Sequence, residues 1–433
     1  MAKFLMLSGG GDGLGLALRL KEEGHDISVW IRDARARDDY NGLLKKVDNT
    51  WGKTLTKDTT VIFDSTGGGR VADRLRAEGY SVLGGSEFAD QLEMDRGVAF
   101  GIMEEVGIKV PHSETFTSFP AGKKFVQQSE KRLAFKPTGE MGPEVTTYVS
   151  YDKEDLLEML DYFEAHAKGE IEFELQEVVE GGLLISTEGW FNGQRFVAPF
   201  NHTFERKQLM NDNLGPSGGC AGNVVFAVEG SNFIADEGLR RMEPILAHNE
   251  YVGPIDLNTV VNNEGVWALE FTPRFGYDAL PTFLELLNEP IGDLLNKFAT
   301  GKGSDIKLKQ GIGGSVRVTI PPYPNEKFRP AEGIPIRGLV RSDRLHLYLY
   351  NVALNNQNKL ISTKGFGVIG AFTGLGMTIE ESLQGPYSIA NKSRIPNRQF
   401  RTDLSEVFED DFRKFNELIS SKRNELPSPQ EVT

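Results

Sequence analysis

Two acidic residues lie in a short segment that the sequence predicts to be a β-hairpin. Residues 253–276 contain two apolar runs separated by the polar turn Asn262–Gly265, which is the pattern of two strands joined by a tight turn. Asp256 lies in the first run and Glu270 in the second, so adjacent antiparallel strands can place both carboxylates on one face. Two anions held together repel, and a hard divalent cation with oxygen ligands usually offsets them. The alternative interpretation is a surface hairpin with scattered acids.

A lysine in a predicted strand is the second feature that could do chemistry. Lys136 precedes a glycine-containing loop, Thr138 to Gly142. From such a position a lysine can reach phosphate oxygens as a point charge. The alternative is a surface lysine on an edge strand, and this residue taken alone favours that alternative.

The beginning of the chain combines an apolar strand, a glycine-rich loop and an amphipathic helix. Glycines at positions 9, 10, 11, 13 and 15 let the backbone approach an anion at the helix N-terminus. The same succession recurs from the strand at 60–65 to a helix ending at 78, which predicts a doubly wound parallel sheet. A nicotinamide site is not predicted, because Arg32 stands where an acidic ribose ligand is needed. The alternative for the loop is a tight strand-to-helix turn.

The rest of the chain alternates between predicted helices and strands. Periodicity predicts helices over residues 87–106, 152–167, 233–250, 280–295, 379–389 and 404–417. β-forming runs predict a small antiparallel sheet from strands at 173–179, 183–191 and 195–199, and a separate α+β unit with shorter strands after 314. A long polar loop is predicted before Gly222, and loops of that length in compact domains are often functional.

The composition is that of an ordinary soluble globular protein with two to four domains. The chain has 433 residues and a net charge of −14, which argues against coating of nucleic acid or of an anionic membrane. There is no run of about 18 apolar residues, so no transmembrane helix is expected, and the first residues lack signal-peptide features. Cys220 is the single cysteine, so no intramolecular disulfide or cysteine-rich metal site is expected, and a reducing cytoplasm fits best.

Several motifs follow one another in an order that is more specific than any one of them. The motifs are the glycine-rich start, MDRGVAFGIMEEVGIKVP at 94–111, LQEVVEG at 175–181, ERK at 205–207 with GPSGGCAG at 215–222, and LEFTPRFG at 269–276. In this order they make the sequence resemble the ATP-grasp ligases, and within them the phosphoribosylamine–glycine ligases. The resemblance covers roughly residues 1–403.

The resemblance implies an α/β fold of the ATP-grasp type. It consists of an N-terminal Rossmann-like parallel-sheet domain, a small antiparallel lid subdomain and a C-terminal α+β domain. The expected boundaries are 1–110 for the first domain, 111–305 for the ATP-grasp domain with a lid at about 112–182, 306–403 for the C-terminal domain and 404–433 for a helix and tail.

The resemblance also implies a reaction and the residues that carry it. ATP would convert a carboxylate to an acylphosphate, and an amine would then displace phosphate, most specifically with glycine and phosphoribosylamine as substrates and Mg²⁺ or Mn²⁺ as the metal. The implied ATP ligands are Arg96, Lys136, Gln176, Glu177, Val179 and Glu180. The implied substrate contacts are Gly9, Gly10, Gly11, Gly218 and Gly219. The implied metal ligands are Asp256, Glu270 and Thr272, and the implied catalytic residues are Arg274 and Lys207.

The sequence departs from the family at the places that should choose the amine and the metal. Thr272 replaces an asparagine that the family uses as a metal ligand, Arg96 replaces a lysine, and Asp12-Gly13-Leu14 replaces Arg-Glu-His after the first glycines. Two alternatives therefore stay open: a ligase that joins another amino acid or carboxylate to a different amine, and an ATP-binding relative without catalysis. The expected partners are small-molecule substrates, and the expected assembly is a monomer or a homodimer.

Overall fold

The N-terminal domain is built on a parallel sheet. The structure, a computed structural model, describes residues 1–138, 141–142, 144–228, 232–325 and 327–425. The elements of the first domain are β1 (Lys3–Ser8), α1 (Leu14–Glu22), β2 (Asp26–Ile31), β3 (Lys45–Lys46), β4 (Thr59–Phe63), α2 (Gly69–Ala77) and β5 (Ser81–Leu83). The strands lie in the order β3-β2-β1-β4-β5, and all their pairings are parallel. The predicted doubly wound sheet is confirmed.

Two helices connect this domain to the next, where the sequence predicts one. They are α3 (Glu87–Met94) and α4 (Arg96–Glu105). Asp95 between them is extended, with φ −118° and ψ 97°, and its carboxylate accepts a hydrogen bond from the amide of Val98. This is the behaviour of an N-cap residue, and it places Arg96 at the first position of α4.

The lid is a four-stranded antiparallel sheet with two helices. Its elements are β6 (Ser113–Phe116), α5 (Phe119–Gln128), β7 (Leu133–Pro137), β8 (Tyr148–Val149), α6 (Lys153–His166) and β9 (Phe173–Glu177), with strand order β6-β9-β7-β8. Stacked rings of Phe119, Phe135, Phe163 and Phe173 fill its core. The predicted strand that carries Lys136 is β7. Residues 139 and 140 of the predicted Thr138–Gly142 loop lie outside the described part of the chain.

The remainder of the chain forms one large antiparallel sheet with helices around it. Its elements are β10 (Leu183–Asn192), β11 (Phe196–Gln208), β12 (Ser217–Val228), α7 (Phe233–Glu237), α8 (Glu243–His248), β13 (Val252–Asn262), β14 (Gly265–Thr272), α9 (Ala279–Leu286), α10 (Ile291–Ala299), β15 (Ile312–Thr319), β16 (Leu347–Leu349), β17 (Val352–Leu354), β18 (Leu360–Ser362), β19 (Val368–Gly376), α11 (Ile379–Lys392) and α12 (Leu404–Glu425). The order is β14-β13-β10-β11-β12-β15-β19-β16, and β17 and β18 form a separate ribbon. The sheet runs through the boundary predicted at residue 306, because β15 pairs with β12.

Several elements differ from the expectations. The predicted small sheet of strands at 173–179, 183–191 and 195–199 is wrong, because β9 pairs within the lid sheet whereas β10 and β11 pair within the large sheet. The predicted helix at 233–250 is broken at Gly238, whose φ of −109° and ψ of −110° lie outside the helical region. The predicted helix at 280–295 ends at Leu286 and restarts after Pro290, because proline cannot continue a helix from the preceding turn. Half of the predicted polar loop before Gly222 is strand β12, which pairs with β11.

The first domain packs directly on the strands that follow β15. Asp39 accepts hydrogen bonds from Asn351 at 2.8 Å and from Thr363, and the hydroxyl of Tyr40 donates to the carbonyl of Leu349. One apolar core extends across both parts. Within the described residues, no helix has the length and apolar character needed to cross a membrane.

Candidate active site

The hairpin β13–β14 places its polar residues in a defined register. Asp256 pairs with Thr272, and Asn258 pairs with Glu270, so the two acids are diagonal neighbours on the predicted hairpin. On its other side, β13 pairs with β10, where Glu188 lies opposite Asp256. Polar side chains of three neighbouring strands therefore lie together on one face of the sheet.

Asp256 has an oxygen with no partner. Its Oδ2 accepts a hydrogen bond from Asn258 at 3.2 Å, but its buried Oδ1 has no hydrogen-bond partner among the described residues. Burial, reinforced by the neighbouring Glu188, raises the pKa of Asp256 well above its usual range. A buried oxygen without a partner is rare in proteins, and here it marks a place for a cation or a donor from a ligand.

Glu270 and Thr272 supply oxygen atoms beside Asp256. Glu270 is exposed, and its carboxylate lies 3.9 Å from the ammonium group of Lys207. Among the described residues, no group of three or more histidine, cysteine, aspartate or glutamate side chains could hold a metal alone. Mg²⁺ commonly takes only one or two carboxylates and completes its shell with water and phosphate oxygens. The unpartnered Asp256 oxygen and the Glu270 carboxylate fit such an ion, whereas the Thr272 hydroxyl adds a weaker neutral donor.

Lys136 faces this end of the sheet from the lid. Its ammonium group is half-buried and donates a hydrogen bond to Oε1 of Gln176 at 2.6 Å. Burial and the nearby Arg96 lower the pKa of Lys136 to about 8, against the opposing charges of Glu270 and Glu174. The lowered pKa means that the charged form of Lys136 is destabilised. A polyanion bound nearby would stabilise that charged form.

Gln176 also carries an unpartnered group. Its side chain is 2% exposed, and its Nε2 is buried without a hydrogen-bond partner among the described residues. Because Lys136 occupies the other end of the amide, Nε2 is oriented as a donor for an acceptor that the protein does not provide. Lys136 and Gln176 are diagonal neighbours on strands β7 and β9, because Ala134 pairs with Gln176 and Lys136 pairs with Glu174.

Arg96 and Lys207 complete a cationic group around Lys136. The guanidinium of Arg96 lies 3.3 Å from Glu174, and both Arg96 and Lys207 act on the charge of Lys136. Three cations therefore come together from α4, β7 and β11, with Glu174 and Glu270 as their nearby acids. This arrangement suits phosphate groups.

The segment that follows Gln176 contains three more of the residues predicted to bind ATP. The amides of Glu177 and Val178 donate to the carbonyls of His112 and Arg132, whereas none of the hydrogen bonds among the described residues involves the Val179 amide. The Glu180 carboxylate is exposed and lies 3.2 Å from Nε of Arg132. Glu177, Val179 and Glu180 therefore follow Gln176 along one edge of the lid.

A cavity of about 610 Å³ lies between the first domain and the large sheet. It brings together most of the residues predicted to hold the second substrate. Its walls include Gly9, Gly10, Gly11, Asp12, Gly218, Gly219, Arg274, Tyr277, Arg317 and Tyr323. Lys207 is not part of this wall and belongs to the cationic group described above.

The first glycine loop is held by an internal carboxylate. Asp64, which follows β4, accepts hydrogen bonds from the amides of Gly9 at 3.0 Å and Gly13 at 2.7 Å, and the amide of Gly11 donates to the Ser8 hydroxyl at 2.9 Å. These amides are therefore not available to an anionic ligand. The predicted contact of Gly9, Gly10 and Gly11 with a substrate stays a prediction, and in this structure these glycines form part of a cavity wall.

Arg274 lines this cavity and is held by Glu93 and Tyr277. Its guanidinium makes hydrogen bonds to both oxygens of Glu93, at 2.9 and 3.1 Å, and lies over the ring of Tyr277, 4.3 Å from the ring centre. Electrostatic interactions with Tyr277 and Glu93 raise the pKa of Arg274, although burial alone would lower it. Arg274 therefore lies in the wall of the cavity that also includes the first glycine loop. Its catalytic role stays a prediction.

Several residues of the site were not singled out from the sequence. Asn258 and Glu188 gain their positions from strand register, which the spacing within one strand does not reveal. Asp64 follows a predicted strand directly, and this is a signal that could have located it, because residues at the carboxyl ends of parallel strands meet at one edge. Arg317 lies in the middle of β15, paired with Asp278 by two hydrogen bonds of 2.7 Å.

Sequence comparisons give the chain a consistent set of relatives. No family model matches it. It is 22% identical over 425 residues to the phosphoribosylamine–glycine ligase of Neisseria meningitidis serogroup B, which covers 93% of this chain and 99% of that protein. It is 24% identical over 360 residues to the phosphoribosylamine–glycine ligase of Corynebacterium ammoniagenes, with 78% and 80% covered.

Solved structures show the same fold. The phosphoribosylamine–glycine ligase of Thermotoga maritima matches 93% of this chain and all of its own, with a TM-score of 0.68 at 20% identity. N5-carboxyaminoimidazole ribonucleotide synthetase of the same organism matches with a TM-score of 0.59 at 15% identity, covering 91% and 99%. A biotin carboxylase of Campylobacter jejuni matches with a TM-score of 0.62 at 12% identity, covering 92% and 93%.

The parallel-sheet domain, the lid and the large antiparallel sheet, with a cationic site between the last two, have the layout of an ATP-grasp fold. Within that class, the chain is related along nearly its whole length to the phosphoribosylamine–glycine ligases. The resemblance given by the motifs is confirmed.

Proposed function

We propose that this chain is an ATP-dependent carboxylate–amine ligase that forms an amide through an acylphosphate. In its most specific form, the proposal joins glycine to phosphoribosylamine and yields glycinamide ribonucleotide, ADP and phosphate, a step of de novo purine synthesis. The observation that carries the proposal is a pair of buried atoms that lack a partner among the described residues, Gln176 Nε2 on the lid and Asp256 Oδ1 on the sheet. Lys136 interacts electrostatically with Glu174 on the lid and with Glu270 on the sheet.

The lid would hold the nucleotide. Lys136 and Arg96 would bind phosphate oxygens, Gln176 Nε2 would donate to the nucleotide, and the free amide of Val179 would face the adenine. Glu177 continues the hinge, and Glu180 would reach the ribose. Burial strengthens these interactions because competing water is excluded from the Lys136–Gln176 pair.

Asp256 and Glu270 would hold Mg²⁺ or Mn²⁺, with Thr272 as a weaker third donor. The ion would supply charge neutralisation for the phosphate groups of ATP. Lys207 lies 3.9 Å from Glu270. Its positive charge would therefore stabilise the phosphoryl group during its transfer from ATP. Arg274, fixed by Glu93, would stabilise the negative charge that develops on the acylphosphate.

The 610 Å³ cavity would receive the amine. Gly218 and Gly219 lie on strand β12, and the Gly219 amide donates to the hydroxyl of Tyr323 at 3.2 Å. The first glycine loop closes the opposite wall, where a side chain on Gly9 would lie 2.2 Å from Ser65 Oγ. The contact with Ser65 requires glycine at position 9, and both walls consist in part of glycine backbone.

Purified protein with ATP, Mg²⁺, glycine and phosphoribosylamine should release ADP and phosphate, and each single omission should stop the release. Glu270→Ala should abolish turnover, while Glu264→Ala, an exposed acid in the turn of the same hairpin, should keep it. The absence of ADP above the omission controls would refute the proposal. Turnover that depends on Glu270 would also exclude an ATP-binding relative without catalysis.

A second candidate is a ligase of the same mechanism that uses a different amine or carboxylate. It is favoured by the first glycine loop, whose amides at Gly9 and Gly11 are occupied by Asp64 and Ser8, and by Asp12 in place of a basic residue. A panel of amino acids and amines, scored by ADP release, separates the two. A strict requirement for phosphoribosylamine would reject this candidate.

A further inference from the structure

Asp12 is an acid that the protein directs into the amine cavity without a partner. Its side chain is half-buried and lines the cavity, and none of the hydrogen bonds or ion pairs of the described residues involves its carboxylate. This is unusual for the wall, because the other charged groups there are engaged. Arg274 is held by Glu93, Arg317 by Asp278, and Asp33 binds Arg35 at 2.8 Å.

The position of Asp12 follows from the locked glycine loop. Asp64 binds the amides on either side of Asp12, those of Gly9 and Gly13. Gly13 cannot carry a side chain, since a Cβ there would lie 2.7 Å from Asp64. The loop is therefore fixed, and it presents the Asp12 carboxylate to the cavity from a rigid backbone.

The charges around Asp12 come from three directions. Asp64 lies behind it in the first domain, Arg274 faces it from the segment after β14, and Arg317 with Asp278 faces it from the large sheet. Burial, followed by the charge of Asp64, raises the pKa of Asp12 to about 7, while the two arginines oppose the rise. A carboxylate with this pKa can accept a proton near neutral pH.

We propose that Asp12 binds the nitrogen of the amine substrate and accepts its proton as that nitrogen attacks the acylphosphate. This inference rests on the proposed ligase activity and adds to it a catalytic residue from the first domain. Arg274 links the amine cavity to the proposed metal site, because it interacts with Asp12 and follows the strand that carries Glu270 and Thr272. The attacking nitrogen would thus lie between Asp12 and the carbonyl that Arg274 stabilises.

The step balances without a further reagent. The nitrogen lone pair forms the C–N bond, the bond from the carbonyl carbon to the phosphate oxygen breaks, and its electron pair leaves with phosphate. The proton lost by nitrogen moves to Asp12 and passes from there to solvent. The net products are the amide, phosphate and one proton.

Trapping the intermediate separates this role from the rest of the reaction. Hydroxylamine reacts with acylphosphates without a catalyst, so glycine hydroxamate formed from ATP, Mg²⁺, glycine and hydroxylamine reports the first step alone. Asp12→Asn should form the hydroxamate at a rate within about twofold of the wild type. Its kcat/KM for phosphoribosylamine should fall about 100-fold or more, as expected for loss of a proton acceptor.

Three controls accompany the measurement. Asp38→Asn makes the same change at an exposed site outside the cavity and should leave both rates unchanged. Asp12→Glu should restore part of the amide rate. The wild-type kcat/KM for the amine should decline as pH falls through about 7, and Asp12→Asn should lack this decline.

The outcomes are distinct. Equal loss of hydroxamate and amide formation in Asp12→Asn, or no loss of either, would overturn the role of Asp12 while leaving the ligase proposal in place. A wild type that forms neither hydroxamate nor ADP would overturn the ligase proposal, and the role of Asp12 with it. Retained hydroxamate with selective loss of the amide and of the pH dependence would support the role.

Discussion

At the scale of single residues, the site is defined by groups that lack a partner. Gln176 Nε2, Asp256 Oδ1 and the Asp12 carboxylate come from the lid, the large sheet and the first domain. A folded protein rarely leaves buried polar groups unsatisfied. Under the proposed function, Gln176 would face the nucleotide, Asp256 the metal and Asp12 the amine.

Lys136→Ala should raise the KM for ATP while leaving the fold intact, because it removes an ammonium group that would bind phosphate and that contacts Gln176. In the wild type, the KM for ATP should rise as pH increases through about 8, since Lys136 then loses the charge that binds phosphate. Lys136→Arg keeps its charge at every accessible pH and should remove this rise. Steady-state kinetics between about pH 6.5 and 9 test both variants. ATP kinetics unchanged by Lys136→Ala would show that the residue does not touch the nucleotide.

Thr272→Asn should lower the Mg²⁺ concentration needed for half-maximal activity by about tenfold, equivalent to about 1.4 kcal/mol. The reason is that an amide oxygen is a better neutral ligand than a hydroxyl, and Thr272 lies opposite Asp256 in the register. Thr272→Val is the matched control, because it keeps the shape and removes the oxygen. If Thr272→Val has the same Mg²⁺ requirement as the wild type, Thr272 does not bind the metal.

Residue types located much of the site but could not show what each residue already binds. Asp256 and Glu270 were selected because two adjacent predicted strands each carry a carboxylate, whereas the roles of Lys136 and Arg274 came from the resemblance in motif order. The sequence could not show that Asp64 occupies the amides of the first glycine loop, because residues 9 and 64 meet only through the pairing of β1 with β4. Glycine spacing alone looks the same whether a loop binds a ligand or a carboxylate of its own chain.

At the scale of elements, predictions failed at helix breaks and at the continuity of the sheet. The periodicity of residues 87–106 continues through Asp95, and only its capping of α4 shows two helices. Gly238 divides residues 233–250 in the same way. The pairing of β12 with β15 joins strands separated by nearly 90 residues, and local pattern carries no signal for such a contact.

Asp278→Ala should destabilise the protein by about 3–5 kcal/mol, because it leaves Arg317 buried and charged without a partner. The pair connects the start of α9 to β15, and the two side chains are 0% and 6% exposed. Adding Arg317→Met should recover a large part of the loss, since no charge is then buried. Urea unfolding of the two variants and the wild type measures this. A loss below about 1 kcal/mol in Asp278→Ala would contradict the argument.

At the scale of the whole molecule, the first domain and the strands after β15 form one body around the amine cavity. The fold class was predictable because motif order extends along the whole chain. The contact of Asp39 with Asn351 and Thr363 was not predictable, because these residues lie more than 300 positions apart. Long-range polar contacts of this kind decide how the parts sit together.

The contribution of Asp39, Glu188 and Glu205 to stability should decrease as pH rises from about 4 to about 7. Burial raises the pKa values of Asp39, Glu188 and Glu205 to about 7, so the folded state retains protons that the unfolded state has already lost at about pH 4. Stability from these groups is full below the unfolded pKa and is lost through the folded pKa. Urea unfolding at several pH values measures the decrease, and Asp39→Asn, which cannot ionise, should reduce it. An unchanged slope in that variant would show that Asp39 does not contribute.

The clamp of Asp64 on the first glycine loop has a consequence for inhibitor design. Because the loop is already fixed by three internal hydrogen bonds, a molecule that enters the amine cavity loses little conformational entropy in ordering its wall. A rigid compound with a cationic nitrogen placed against Asp12 would therefore keep most of its contact energy as affinity. Selectivity over relatives with Arg-Glu-His at this loop would come from the charge of that nitrogen, since a basic wall repels what Asp12 attracts.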